Sequence, residues 1–293
     1  MRARGVLRPA AALSLILASC ATVPERPMEQ WLGVLPDSGT LYVSMSVQPM
    51  SAALKKAFKD AGPAFKDLGT IVDMTKKMYA SVTMVPEQAP RFSAVALGNY
   101  PSFFVGFRLG TSADWKGKSS EAGSWFENAK AGLQVSVPAD SVLVASTGDI
   151  ETLIPRLRES PAMPVPPDVA RDMEQSDLVL YLPELPSSVT EKAAGTMRIP
   201  VKQVWLTARK TAAGYEVGGT ANTETEKDAK LLAVVMRLAL VAWLRSQALE
   251  NPGERLSGVT VQPQANQLVL SGLAFTDEEI VPVILALISG TGS

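Results

Sequence analysis

Cys20 is the one residue whose type and position point to a defined covalent chemistry, because it is the single cysteine of the 293-residue chain. The chain contains no histidine, which removes histidine-based acid–base catalysis, histidine triads and histidine metal ligands. One cysteine allows no intrachain disulfide and no cysteine cluster for zinc or iron–sulfur. The sequence also has no phosphate-binding glycine loop, no dinucleotide fingerprint and no distinct carboxylate pair. We therefore expect a protein that is not an enzyme and that holds no metal ion.

The residues before Cys20 have the pattern of a lipoprotein signal peptide, residues 1–19. Three arginines precede an uncharged run, residues 9–18, which is too short to span a bilayer because a span takes about 20 apolar residues. The run ends in Leu-Ala-Ser-Cys, which resembles a bacterial lipobox. That resemblance implies a diacylglyceryl group on the Cys20 thiol and an acyl group on its amine, which together hold a protein on a bilayer. The alternative is an ordinary signal peptide with a chance cysteine.

Composition and charge restrict the partners that we expect. Hydrophobic residues make up 46% of the chain and charged residues 19%, which is typical of a folded protein. The formal charge is −1, and cleavage before Cys20 would remove three arginines and leave a charge of −4. We therefore expect no nucleic-acid partner and no purely electrostatic adhesion to anionic lipid. The best candidate for a membrane span, residues 231–244, is too short and is broken by Arg237.

The order of the predicted elements indicates an internal duplication in an α+β fold. Residues 20–36 are read as a lipidated tether, and residues 37–160 and 161–293 each read as a β-α-ββ-α-ββ-α unit. We expect antiparallel-rich sheet covered by amphipathic helices, arranged either as one large sheet or as two lobes. The predicted strands are residues 41–47, 80–85, 92–97, 133–137, 142–146, 178–182, 204–209, 215–221, 259–262 and 268–271.

Two amphipathic helices are predicted between Met50 and Met78. Apolar residues at i, i+3 and i+4 spacing form one stripe on each helix, and lysines lie beside it. This pattern suits a helix at a membrane interface, where lysine stems reach back to water, and it equally suits a surface helix on a sheet. The candidate lipid-contacting residues here are Met50, Leu54, Phe58, Phe65, Leu68 and Val72.

Residues 227–250 read as a long helix that is apolar nearly all round. Such a helix is expected to be buried on most sides. It is either a central core helix, the wall of a lipid-holding cavity, or a helix that leaves the body to enter a bilayer. Leu240 and Trp243 are its candidate lipid contacts.

A second helical region is predicted to include Trp125 and Phe126. It lies, with Trp115, in a segment rich in glycine, serine and lysine. These aromatic residues are either exposed anchors at a membrane interface or fold back onto the sheet.

Together, the lipobox at Cys20, the amphipathic region Met50–Met78, the apolar helix at 227–250 and the duplicated α/β body resemble the spirochaetal concealed outer-membrane lipoproteins. The resemblance implies an α/β/α body that binds lipid, inserts into the outer membrane from the periplasmic side and loosens its permeability. It brings no catalytic residues, and only Cys20 maps to a functional position. We expect a non-enzymatic envelope lipoprotein with membrane lipid as its partner. The alternative is a periplasmic or surface lipoprotein that serves as a protein-binding or assembly scaffold.

Overall fold

Within the residues that the structure describes, twelve strands form one antiparallel sheet at the centre of the protein. The computed structural model describes residues 27–60, 68–84, 88–159, 161–185, 200–246 and 256–280. The strands follow each other across the sheet in the order β11-β12-β10-β9-β8-β1-β2-β3-β7-β6-β5-β4. They are β1 (Leu41–Ser46), β2 (Thr75–Thr83), β3 (Arg91–Gly98), β4 (Lys116–Ser120), β5 (Gly123–Asn128), β6 (Leu133–Ala139), β7 (Val142–Ser146), β8 (Leu178–Leu182), β9 (Val201–Thr211), β10 (Gly214–Thr223), β11 (Thr260–Gln264) and β12 (Gln267–Phe275).

One helix precedes β1 and the others lie between strands in the chain, so the fold mixes helix and antiparallel sheet as the sequence predicted. They are α1 (Met28–Gly33), α2 (Val47–Asp60), α3 (Leu68–Met74), α4 (Ser102–Thr111), α5 (Ile150–Arg156), α6 (Pro167–Gln175) and α7 (Glu226–Ser246). A further helical turn occupies residues 277–280. Its start is capped by the Glu279 carboxylate, which accepts a hydrogen bond of 2.9 Å from the Thr276 amide.

Successive side chains along each strand point to opposite sides of the sheet, and they contribute to two apolar layers, one on each side. Val95 of β3 points into the first layer, which α1, α5 and α6 cover with residues such as Trp31 and Leu153. Its neighbours Ala94 and Ala96 point into the second layer. Helices α2, α3, α4 and α7 contribute their buried residues to that second layer.

Pairing between β1 and β8 joins the two predicted units into one sheet. Residues 37–160 supply β1 to β7 and residues 161–293 supply the described strands β8 to β12. Tyr42 of β1 lies opposite Tyr181 of β8, and their ring centroids are 6.2 Å apart. Of the two arrangements that the sequence left open, the structure therefore has the single sheet.

The prediction of a helix through Trp125 and Phe126 was wrong, because these residues lie in strand β5. Strands β4 and β5 form an additional hairpin, so residues 37–160 depart from the predicted unit. Glycine, serine and asparagine in this segment are poor helix formers. Gly123, with a φ of 144°, begins β5 in a conformation that side chains with a Cβ rarely adopt.

The second helix predicted to end at Met78 ends instead at Met74, and Met78 lies in strand β2. Thr75 marks the change, since its hydroxyl donates to the Ile71 carbonyl at 2.6 Å. The Tyr100 hydroxyl donates to the Thr75 hydroxyl at 2.7 Å. From Thr75 onward the chain pairs as a strand, and this tertiary pairing overrides the helical spacing of the local sequence.

Residues 28–35, which the sequence assigned to the tether, belong to the folded body. Trp31, Leu32 and Leu35 are buried in the first layer. The Arg156 guanidinium donates to the Gly33 carbonyl at 2.9 and 3.2 Å and thereby satisfies a carbonyl at the end of α1. The signal peptide and residues 20–26 lie outside the described residues.

We predict that Trp31→Ala lowers the free energy of unfolding by about 3–5 kcal/mol, because it removes a large side chain from a packed layer. Thermal denaturation of the mature protein measures this. Glu29→Ala is the matched control, since Glu29 is exposed on the same helix. Equal melting temperatures for the two variants would show that α1 is only a tether.

Candidate functional site

Helix α4 presents three phenylalanines to solvent. The side chains of Phe103, Phe104 and Phe107 are 87%, 47% and 63% exposed. Phe103 and Phe107 are one helical turn apart and share a face, and Phe104 lies beside them. Aromatic side chains are among the largest contributors to burial energy, so three exposed phenylalanines within two turns make this face a candidate interaction surface. We call these three residues the phenylalanine patch.

The opposite face of α4 fixes the helix to the sheet. Val105 and Leu109 are buried in the second layer, together with Tyr100, Trp115 and Leu133. The Ser102 amide donates to a carboxylate oxygen of Asp140 at 2.9 Å, which satisfies a free amide at the start of the helix. Hydrogen bonds from the Ser102 side chain and backbone lower the pKa of Asp140. The phenylalanine patch is therefore held on a packed and capped helix.

The aromatic residues singled out in the sequence fold back onto the sheet. Trp115 and Trp125 are buried, and Phe126 is half-buried beneath α4. A Cβ atom at Gly106 or Gly110 would lie 3.9 or 3.8 Å from the Phe126 ring, an ordinary van der Waals distance, so the ring packs directly against this face of α4. Of the two alternatives for these residues, exposed anchors are therefore wrong and packing on the sheet is correct.

The long helix α7 has an apolar outer face. Val234 and Leu238, one turn apart, are 52% and 68% exposed. The prediction that this helix is buried on most sides was wrong, because it packs on the sheet with one side only. Its inner face consists of Ala229, Leu232, Ala233, Met236, Leu240 and Trp243.

The inner face of α7 packs directly against strands at the β11 end of the sheet. Trp243 meets Phe275 edge to face, with ring centroids 6.0 Å apart. The Arg237 guanidinium donates to the Val261 carbonyl on edge strand β11 at 2.6 Å. These contacts place the described inner face of α7 directly on the sheet, and the lipid-holding cavity stays a prediction.

The predicted lipid-contacting residues that the structure describes point inward. Met50 and Val72 are buried in the second layer, and Leu54, Leu240 and Trp243 are half-buried against it. Their contact with lipid stays a prediction, and in the described fold they pack as core residues. Cys20, Phe65 and the side chains of Phe58 and Leu68 lie outside the described residues.

Sequence reasoning missed the phenylalanine patch. The sequence pattern that could have revealed it is a helix with apolar residues on two faces: Val105 and Leu109 lie on one face, and Phe103 and Phe107 lie on the other. A helix that packs on a sheet needs only one of these faces.

Other kinds of site find no support in the described part of the chain. No helix there is long and apolar enough to cross a membrane. No group of acidic or cysteine side chains within those ranges is arranged to hold a metal ion.

Comparison with solved structures identifies the fold. Crystal forms I, III and IV of TP0453, an outer-membrane-associated lipoprotein of Treponema pallidum, match with TM-scores of 0.63, 0.61 and 0.61. The chain shares the fold of TP0453. The matches cover 91%, 86% and 91% of this chain and 98%, 96% and 98% of TP0453, at 16%, 17% and 18% sequence identity. No protein-family model and no curated protein sequence matches the chain. The resemblance noted in the sequence therefore holds at the level of fold.

We predict that two substitutions in α7 differ in their effect on stability. Leu240→Asn places an amide against the second layer and lowers the free energy of unfolding by about 1–3 kcal/mol. Leu238→Asn changes it by less than about 0.5 kcal/mol, because Leu238 is exposed. Thermal denaturation compares the two variants, at about 2–4 °C per kcal/mol. A large loss for Leu238→Asn would mean that a further layer covers α7.

Proposed function

We propose that the protein is a non-enzymatic lipoprotein of the cell envelope, anchored through acylated Cys20, whose phenylalanine patch inserts into the interfacial region of a bilayer. The observation that carries this proposal is the exposure of Phe103, Phe104 and Phe107 on one packed helix. The shared fold with TP0453 supports an envelope location.

The energy of the phenylalanine patch suits a protein that is already anchored. Its exposed apolar surface amounts to about two whole phenylalanine side chains, whose burial contributes about 3–6 kcal/mol. This burial energy is small for a protein that must bind a membrane from solution without an anchor. For a chain held at the membrane by lipid it is sufficient, because the anchor raises the local concentration of the patch at the bilayer. The patch then sets the orientation of the body.

The dimensions of α4 favour a helix that lies in the membrane surface. Ten residues make a helix about 15 Å long, while the hydrocarbon core of a bilayer is about 30 Å thick. The helix therefore does not span the membrane. Its buried face keeps it on the sheet, so only the rings enter the interface.

The outer face of α7 is a weaker candidate for the same bilayer. Helix α4 lies against β6 and β4, whereas α7 lies against β10, β11 and β12. Seven strand steps separate β10 from β6, and a twist of about 20° per step turns the sheet normal by about 140°. One flat membrane therefore does not meet both faces, and α4 carries the larger exposed rings.

We also propose that the body arose by duplication. Read outward from the central pair, one half of the sheet runs β1-β2-β3-β7-β6 and the other runs β8-β9-β10-β12-β11. The two halves thus follow the same connection order, and the β5-β4 hairpin is added at the edge of the first. This supports descent from one unit, joined through β1 and β8.

Following the resemblance to the concealed outer-membrane lipoproteins, we propose the periplasmic face of the outer membrane as the location and altered permeability as the consequence of insertion. The alternative, a scaffold lipoprotein that binds another protein, would use the same phenylalanine patch. Lipid binding by the protein without its acyl chains separates the two.

We predict that the mature chain carrying Cys20→Ser, which lacks the acyl chains, floats with liposomes through the phenylalanine patch. Phe103→Ser with Phe107→Ser should weaken flotation by about tenfold or more, because the two rings carry most of the exposed apolar surface. Val234→Ser with Leu238→Ser is the matched control, since it removes exposed apolar groups from α7 instead.

Both double variants should retain the melting temperature of the parent, because all four side chains are exposed. Equal flotation of the patch variant and its parent would exclude α4 as the contact. If the parent does not float at all, the scaffold alternative is favoured.

A further inference from the structure

The surface around the phenylalanine patch offers little charge. Arg108 is the only charged residue between Ser102 and Thr111, and Ser102 and Thr111 are the other residues of α4 with polar side chains. Helices that bind anionic membranes carry several lysines or arginines beside their apolar face. Helix α4 lacks such a row.

The lysines of the neighbouring edge strand point away from α4. In the β4–β5 pairing, Gly117 lies opposite Phe126, whereas Lys118 lies opposite Trp125. Phe126 packs in the second layer beneath α4, but Trp125 belongs to the first layer. Because side chains alternate along a strand, Lys116 and Lys118 lie on the side of the sheet opposite to α4.

Two lysines of this region are also neutralised by acidic partners. Lys118 forms an ion pair with Glu127. The Lys130 ammonium lies 2.6 Å from a carboxylate oxygen of Asp114, and this pairing raises the pKa of Lys130. Helix α4 and the neighbouring strand β4 therefore offer little charge of their own to attract anionic headgroups.

We propose that the phenylalanine patch recognises loosely packed zwitterionic bilayer, in which gaps between headgroups expose hydrocarbon, and does not select anionic headgroups. This inference rests on the proposed function. The rings stand on a helix that is fixed by Val105, Leu109 and Asp140, so they enter gaps that already exist. Insertion of this kind depends on curvature and chain unsaturation, and it depends little on salt.

The test uses the full mature chain with Cys20→Ser and four kinds of vesicle. Small and large vesicles of unsaturated phosphatidylcholine differ in curvature and therefore in how tightly the headgroups pack. Large vesicles of saturated phosphatidylcholine provide the tightest lipid packing. Large unsaturated vesicles with added phosphatidylglycerol supply negative charge. We expect binding to small unsaturated vesicles to be at least about fivefold tighter than to large saturated ones. Added phosphatidylglycerol, high salt and Arg108→Gln should each change binding by less than about twofold.

The results separate the lipid preference, the assignment of the contact to α4 and the proposed membrane function. Binding that requires phosphatidylglycerol and is lost in salt would overturn this inference, while the proposed membrane function would stand. Equal binding to all vesicles would also overturn it. Binding that persists in Phe103→Ser with Phe107→Ser would contradict the assignment to α4. No binding to any vesicle would contradict the proposed function itself.

Discussion

Covering both sides of a twelve-stranded sheet is the constraint on which the rest of the structure depends. The pairing of β1 with β8 merges the two halves of the chain into one sheet, so each side needs a continuous apolar layer. On the first side α1, α5 and α6 supply it, and this need draws Trp31 and its neighbours into the body. On the second side the inner faces of α2, α3, α4 and α7 are used in the same way.

The helices of the second side carry more apolar surface than this covering requires. Val105 and Leu109 are enough to hold α4, and Ala229 and Ala233 with their half-buried neighbours hold α7. Phe103, Phe107, Val234 and Leu238 remain exposed on their outer faces, at the cost of leaving large apolar groups in water. In the function that we propose, a lipid partner at α4 removes that cost. The core and the proposed membrane contact would then use opposite faces of the same short helix.

Much of the sheet could be predicted from the sequence, because strand residues there alternate or form apolar runs between turn signals. Strand β4 was missed because Lys116–Ser120 carries no apolar residue and each of its residues is exposed, and β5 was read as part of a helix. The site was less accessible to prediction. The stripe through Met50 and Leu54 has the spacing of a membrane helix, yet the same spacing serves a helix on a sheet. Only the packed structure shows which face of α4 is free.

A spin label at position 107 reports whether α4 enters the bilayer. The single native cysteine is Cys20, so in the acylated protein Phe107→Cys supplies one free thiol for a nitroxide. On addition of vesicles, we expect this label to become accessible to oxygen and shielded from a polar relaxation agent. A label at Glu151→Cys, exposed on α5 of the opposite layer, should stay in water. If the label at 107 remains as accessible to the polar agent as the label at 151, then α4 does not enter the bilayer.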